Sequence, residues 1–151
     1  MDKNISNQQI LLKQGIDWLK AHKDNLVDAF SESMAHSEEL PYHRLPSLLR
    51  KLIAKDMVQD LIKRLESNSF DSEEVRKKIV SGMKKGANLQ SLVISTDLLV
   101  ATITSQANRD LSALPMTRDV LLSKTQYFAS LIKSTAATAT FEIEKAKLKQ
   151  L

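Results

Sequence analysis

Cysteine is absent from the 151 residues, and glycine and proline occur three times each. Without a thiol the chain has no disulfide, no thiolate metal ligand and no cysteine nucleophile. Scarce glycine and proline mean scarce tight turns, which excludes a sandwich or a many-stranded barrel and leaves few, long elements. Aromatic residues make up 5 % of the chain, and none lies among the basic pairs Lys77-Lys78 and Lys84-Lys85, so a base-stacking platform is missing. No apolar run approaches the ~20 residues that a membrane-spanning helix needs. The longest, around Leu98-Leu99-Val100-Ala101, is soon broken by threonine and serine. Met1 to Asn7 contains no apolar segment of the kind that drives secretion. The expectation from these absences is a soluble cytoplasmic protein with no membrane partner.

What is present is ordinary globular composition, 42 % hydrophobic and 26 % charged, enough to close one helical core. The net charge of +4 invites nucleic acid as a partner, but the basic residues alternate with acids, as in Lys51-Lys55-Asp56 and Glu142-Glu144-Lys145-Lys147-Lys149. Alternation of that kind makes a solvated helix face and not a phosphate-tracking stripe. No nucleic-acid partner is expected.

Hydrophobic periodicity predicts an all-α domain of five to six helices spanning residues 1–151. Ile10, Leu11, Ile16, Leu19, Leu26, Val27, Phe30 and Met34 place a first helix over Asn7 to Ala35, with Gly15 as the residue that would bend or split it. Two prolines make Leu40 to Pro46 a loop, Pro46 being compatible with the first turn of the next helix. Leu48, Leu49, Leu52, Ile53, Met57, Leu61, Ile62 and Leu65 form one face of a second helix, which Ser67-Asn68-Ser69-Phe70 ends. Asp71 caps a third helix, with Glu74 placed to reach back in a capping box, and the helix stops near Gly86. Asn88 caps a fourth, whose stripe from Leu89 to Leu111 is the most continuous in the chain. Pro115 is read as its end, and Thr117 as the cap of a fifth.

From Thr117 onward neither proline nor glycine occurs. A helix of ~34 residues would be ~50 Å long, against a diameter of ~35–40 Å for a compact chain of this size. Its last turns, residues 142–151, are therefore expected to leave the domain as an exit helix. Leu121, Thr125, Phe128, Ile132, Thr135, Ala139, Ile143 and Ala146 follow the three-four spacing of a coiled-coil seam, which predicts a homodimer through this helix. Within it Ser134 to Thr140 is a run of small residues, suited to close helix packing, to a plain solvated face or to a ligand. Trp18, Phe30, Tyr127 and Phe128 are candidates to line a small-molecule pocket, a plain aromatic core being the alternative.

Chemistry has few footholds. No glycine-rich phosphate loop or nucleophile-elbow motif is present, and the carboxylate pairs Glu38-Glu39 and Glu73-Glu74 suit helix ends. His22, His36 and His43 lack the spacing of a metal site. The expectation is a protein that is not an enzyme and holds no metal or other cofactor.

With the helices placed, the order of features resembles the N-terminal sensor domain of RsbR-type stressosome proteins. Trp18-Leu19-Lys20-Ala21-His22-Lys23-Asp24-Asn25-Leu26-Val27 looks like that family's opening helix. Gly82-Met83-Lys84-Lys85-Gly86-Ala87-Asn88-Leu89-Gln90-Ser91-Leu92 is similar to its central turn, and Leu121 to Leu151 to its long exit helix. The resemblance spans nearly the whole chain but rests on helix order, one turn and a seam. It implies a globin-like fold without haem, a dimer through the terminal helix, and a sensory role relayed to STAS domains that hold or release a kinase. The sequence stops where a STAS domain would begin, so the expectation is either a sensor standing alone or a piece of a longer chain. Two alternatives stay open: a haem-based gas sensor and a helical adaptor for a protein partner. Against haem, Val75 to Val100 contains no histidine, cysteine or tyrosine, and Met83 alone is a poor axial ligand.

Overall fold

The computed structural model describes residues 2–38 and 44–150. Six helices run through them: α1 (Asp2–Ala21), α2 (Lys23–His36), α3 (Ser47–Ser67), α4 (Ser72–Lys84), α5 (Leu89–Asp110) and α6 (Pro115–Lys149), with no strand among the described residues. The all-α class and the long C-terminal helix agree with the periodicity.

The first predicted helix is two, and the break falls at His22, not at Gly15. His22 leaves helical geometry with φ −110° and ψ 15°, yet hydrogen bonds of 3.0 Å still run from His22 N to the Trp18 carbonyl and from Leu26 N to the His22 carbonyl. The chain therefore bends without orphaning its backbone groups. The His22 ring reinforces the bend: Nδ1 lies 2.9 Å from the Trp18 carbonyl, which can only accept, so Nδ1 carries the hydrogen and donates. Gly15 has a different reason. A Cβ there would lie 2.9 Å from Leu121 Cβ, so glycine is what lets α1 and α6 approach so closely.

α3 returns along α1 and α2, tied by the ion pairs Lys20–Glu66 at 2.6 Å and Lys51–Asp28 at 3.4 Å. Ala54, Val58, Leu61, Ile62 and Leu65 set the buried face. Leu48, Leu49 and Leu52, expected on that face, are exposed. The reason is phase: at 3.6 residues per turn Leu52 points about 160° away from Ala54. Of the predicted proline loop, Leu40 to His43 lie outside the described residues, and Pro46 directly precedes α3.

The caps around α4 decide where it sits. Asp71 accepts from the backbone N–H of Glu73 and Glu74 at 3.1 and 3.2 Å. Glu74 does not complete a capping box; it faces Lys78 at 3.9 Å. Gly86, with φ 106°, closes the other end: Ala87 N bonds to the Gly82 carbonyl and Gly86 N to the Met83 carbonyl, a Schellman pattern that needs the left-handed region. Asn88 and Ser91 then form a reciprocal capping box that starts α5. The α5–α6 junction differs from expectation. Pro115 opens α6 instead of ending α5, because the first helical position needs no N–H donor and suits proline's fixed φ. Thr117 is consequently inside the helix, buried, and donates to Gln14 Oε1 on α1 at 2.8 Å.

Two apolar clusters result. The larger gathers residues of α1, α2, α3, α5 and α6, including Leu19, Phe30, Met34, Val58, Leu65, Ile103, Leu121 and Phe128. The smaller joins Val75 and Ile79 of α4 to Ala136 and Ala139 of α6. α4 is thus held against α6, with Arg76 donating twice to Glu142; these hydrogen bonds hold the guanidinium pKa above its ordinary value.

Candidate functional site

Between the two clusters lies a cleft of about 220 Å³. α3 supplies Met57, Asp60, Leu61 and Arg64; α4 supplies Val75, Lys78 and Ile79; α5 supplies Leu92, Thr96, Leu99 and Val100; α6 supplies Thr125, Ala129 and Ile132. The gap follows from the packing. α4 is docked on α6 by alanines small enough to draw it close, and it meets α3 through the ion pair of Lys78 with Asp60. Lys78 Nζ reaches both carboxylate oxygens, at 3.1 and 2.9 Å. Ala129 leaves space on α6 that a larger side chain would fill.

The polar groups of the cleft are already committed. Thr96 donates to the Leu92 carbonyl and Thr125 to the Leu121 carbonyl, each at 2.8 Å. Arg64 Nη1 donates to the Asp60 carbonyl at 3.0 Å. Asp56 is a further acid at the rim. The interior is therefore apolar with no free hydroxyl donor, and the rim holds two cations and two carboxylates.

Of the four aromatic residues expected to line a pocket, Tyr127 and Phe128 share a groove, and Trp18 and Phe30 do not join them there. Phe30 and Phe128 are buried in the larger cluster. Trp18, also buried there, donates from Nε1 to Asp110 Oδ2 at 3.2 Å and stacks at a tilt on His22 with centroids 5.4 Å apart. Tyr127 is exposed and edge-on to Phe128, and the two border a shallow groove with Asn68, Phe70 and Leu131. Sequence spacing put these aromatics near one another in the helix order, but their faces point to different parts of the molecule.

The proposed seam is also redistributed. Leu121, Thr125, Phe128 and Ala139 are buried within the chain's own fold, and Ile132, Thr135 and Ile143 are half-buried. Of the eight, Ala146 alone is exposed. The three-four spacing read as a dimer seam is thus the intramolecular face of α6, for the ordinary reason that a core-facing stripe and a coiled-coil seam share that spacing. Residues 142–149 are not wholly free either: Ile143, Glu144 and Lys147 border a groove with Val80, Met83, Ala87 and Asn88 at the α4–α5 corner. The small-residue run divides by face. Ala136 and Ala139 pack on α4, whereas Ser134, Ala137 and Thr138 are exposed.

A different row of α6 faces outward. Tyr127, Ser134, Phe141 and Leu148 recur at intervals of seven and are all exposed, Tyr127 at 55 %, Phe141 at 68 % and Leu148 at 70 %.

The remaining candidate ligands are dispersed. His36 Nε2 lies 3.1 Å from Glu32 on the surface, His22 Nε2 is 3.8 Å from Asp110, and His43 lies outside the described residues. No group of three or more metal-ligating side chains occurs among the described residues. The cleft does not fit haem. Its lining has no imidazole, thiolate or phenolate, its one sulfur is Met57, and its volume suits a fused bicycle better than a tetrapyrrole. Met83 lines the other groove, away from the cleft. No single helix among the described residues is long and apolar enough to cross a membrane.

No family model, curated protein or solved structure matches the chain.

Proposed function

We infer that the chain is a non-enzymatic sensory domain in which α6 both receives and transmits the signal. The observation that carries this reading is the double role of one helix. Thr125, Ala129 and Ile132 line the cleft, and the same 35-residue helix, ~52 Å long in all, runs on for ~25 Å beyond Ile132 at 1.5 Å per residue. A ligand that moves α4 against α6 would tilt or shift its far end. Shifts of ~1–2 Å at such helices are enough when the downstream element has two discrete packings.

The resemblance to RsbR-type sensor domains fits this arrangement. On that reading the fold is globin-like without haem, the protein works in the cytoplasm, α6 leads toward a STAS domain, and the consequence of the signal is retention or release of a kinase. The protein acts as a homodimer. The dimer face is the exposed row Tyr127, Ser134, Phe141 and Leu148, because heptad spacing keeps one face of a helix turned to its mate. Small Ser134 and Ala137 allow the two helices to approach closely.

Light scattering on the wild type and on Phe141→Asp tests the reading. A dimer that becomes a monomer with an unchanged melting temperature supports it. A wild type that stays monomeric at high micromolar concentration, or a dimer indifferent to Phe141→Asp, overturns the dimeric lever.

One observation favours the adaptor reading instead. Leu48 and Leu52 stand exposed on the outer side of α3, at 70 % and 54 %, where a partner helix could cover them. If Leu48→Ser with Leu52→Ser abolishes capture of a partner while the α6 face is dispensable, the adaptor reading replaces the sensor.

A further inference from the structure

We propose that the cleft between α3, α4, α5 and α6 is a binding site for a neutral, largely apolar small molecule the size of a fused bicycle, such as an indole. The proposal deepens the sensory reading, on which it rests only for what binding does downstream.

Size comes first. An apolar cavity of ~150 Å³ in a protein core stays dry and accepts benzene. At about 220 Å³ this cleft takes roughly half as much again, which is a naphthalene or an indole and not a long acyl chain. The lining agrees, since Leu61, Ile79, Leu99 and Ile132 present hydrocarbon from four different helices, and transfer of an apolar ligand from water to such a surface is favourable in proportion to the area covered.

Charge then decides between a neutral and an anionic ligand. Lys78 holds both oxygens of Asp60 and has Glu74 at 3.9 Å. Arg64 donates to the Asp60 backbone carbonyl, and Asp56 is a second acid on the same rim. With two carboxylates among the rim charges and Lys78 held by one of them, an incoming carboxylate would have to displace Asp60 from Lys78 or sit close to Asp56 and Asp60. The threonines offer such an anion nothing, because the hydroxyl hydrogens of Thr96 and Thr125 are given to carbonyls of their own helices. They retain acceptor lone pairs, which suit a ligand with at most one N–H or O–H.

The Asp60–Lys78 pair also gives the site an entrance. It joins α3 to α4 across the rim, with Asp60 and Lys78 side chains 28 % and 49 % exposed. An ion pair that wet contributes little to stability, so parting it to admit a neutral molecule is a small step.

The test is methyl NMR on the whole chain, titrated with indole and, separately, with 2-naphthoate. Indole is expected to saturate and to shift the methyl signals of Ile79, Ile132 and Leu99. 2-Naphthoate, which keeps the fused bicycle and adds the charge, should bind at least about tenfold more weakly, since a buried carboxylate without a partner is costly. Ala129→Leu fills the cleft from α6 and should abolish the indole shifts while circular dichroism and melting remain those of a folded protein. Should that variant fail to fold, Leu92→Phe fills it from the half-exposed side with the same expectation. Indole that leaves these methyls unmoved at its solubility limit overturns the proposal, as do shifts that persist in a folded, filled variant. Tighter binding of 2-naphthoate overturns the neutral class. Self-association measured on the same samples separates this from the lever. An intact dimer that ignores indole removes the ligand and leaves the lever, whereas a wild-type monomer that binds indole removes the lever and leaves the site.

Discussion

Alanine at each of the three glycines should give three different outcomes, and the series tests the packing of α1 on α6 directly. In an unobstructed helix interior, glycine to alanine stabilises by ~1 kcal/mol. Gly82 meets that condition: it lies inside α4, and its added Cβ would find only Ala87 Cβ, at 3.8 Å. Gly82→Ala should therefore raise stability by ~1 kcal/mol, a gain of roughly 3 °C in melting temperature for a chain of this length. Gly86 has open space around it but a φ of +106°, so Gly86→Ala should lose ~1–2 kcal/mol from backbone strain alone. Gly15 combines good helical dihedrals with no room. Its Cβ would lie 2.9 Å from Leu121 Cβ and 3.3 Å from both Leu121 methyls. Rotating the leucine relieves the methyl contacts but not the Cβ one, which moves only with its backbone. Overpacking of ~1–3 kcal/mol set against ~1 kcal/mol of helix propensity leaves a net change between about zero and a loss of ~2 kcal/mol. Chemical and thermal denaturation of the three variants read the signs. A Gly15→Ala protein as stable as Gly82→Ala would mean that α1 and α6 are not in this contact, and the assignment of Gly15 as a packing glycine would be wrong.

Ile132→Asp should destabilise the fold by about 2 kcal/mol or more, because Ile132 lines the cleft and packs on the α4–α6 cluster; a variant that keeps full stability but loses self-association would return Ile132 to the dimer face. Asp71→Ala should cost ~1 kcal/mol by removing the α4 cap, and amide exchange should quicken in the first turn of α4 before anywhere else. Asp110→Ala removes the acceptor of the Trp18 indole N–H and should cost ~1–2 kcal/mol. Because the chain has one tryptophan, its fluorescence reports that site alone, and an unchanged emission spectrum would contradict the hydrogen bond.

Much of the fold was legible because local chemistry and tertiary packing agree. Asp71, Gly86 and Asn88 mark helix ends through hydrogen bonds within a few residues, and all three serve as their side chains or dihedrals suggest. Misreadings arose where one residue type serves two geometries. Gly15 reads as a breaker until the neighbouring helix is known, and then as the residue that admits it. Pro115 reads as an end and proves a beginning. His22 breaks α1 from α2 without a breaker's composition, through a ring hydrogen bond that no spacing rule foretells. The cleft left a faint trace in the sequence, as Thr96, Thr125 and Ala129 sit in otherwise apolar stripes. That they converge from two helices on a gap under α4 depends on how α4 docks, which the sequence does not state.

The long helix shows why periodicity alone does not tell a core-facing stripe from a coiled-coil seam. A stripe at three-four spacing is demanded by the chain's own core and by a coiled-coil mate alike, so Leu121, Thr125 and Phe128 satisfy either reading. What separates the two is where the other large apolar residues stand. Tyr127, Phe141 and Leu148 fall outside the stripe at 55–70 % exposure, which is why the proposed dimer uses their row. Between Tyr127 and Phe141 the same row is filled by Ser134, a residue that neither stabilises a core nor anchors an interface but does bring two backbones together. On the proposed lever, the rigidity of one helix would couple an inner face that lines a ligand-sized cleft to an outer face at heptad spacing. A displacement imposed by α4 at Ala136 and Ala139 would then reach Phe141 within about a turn and a half.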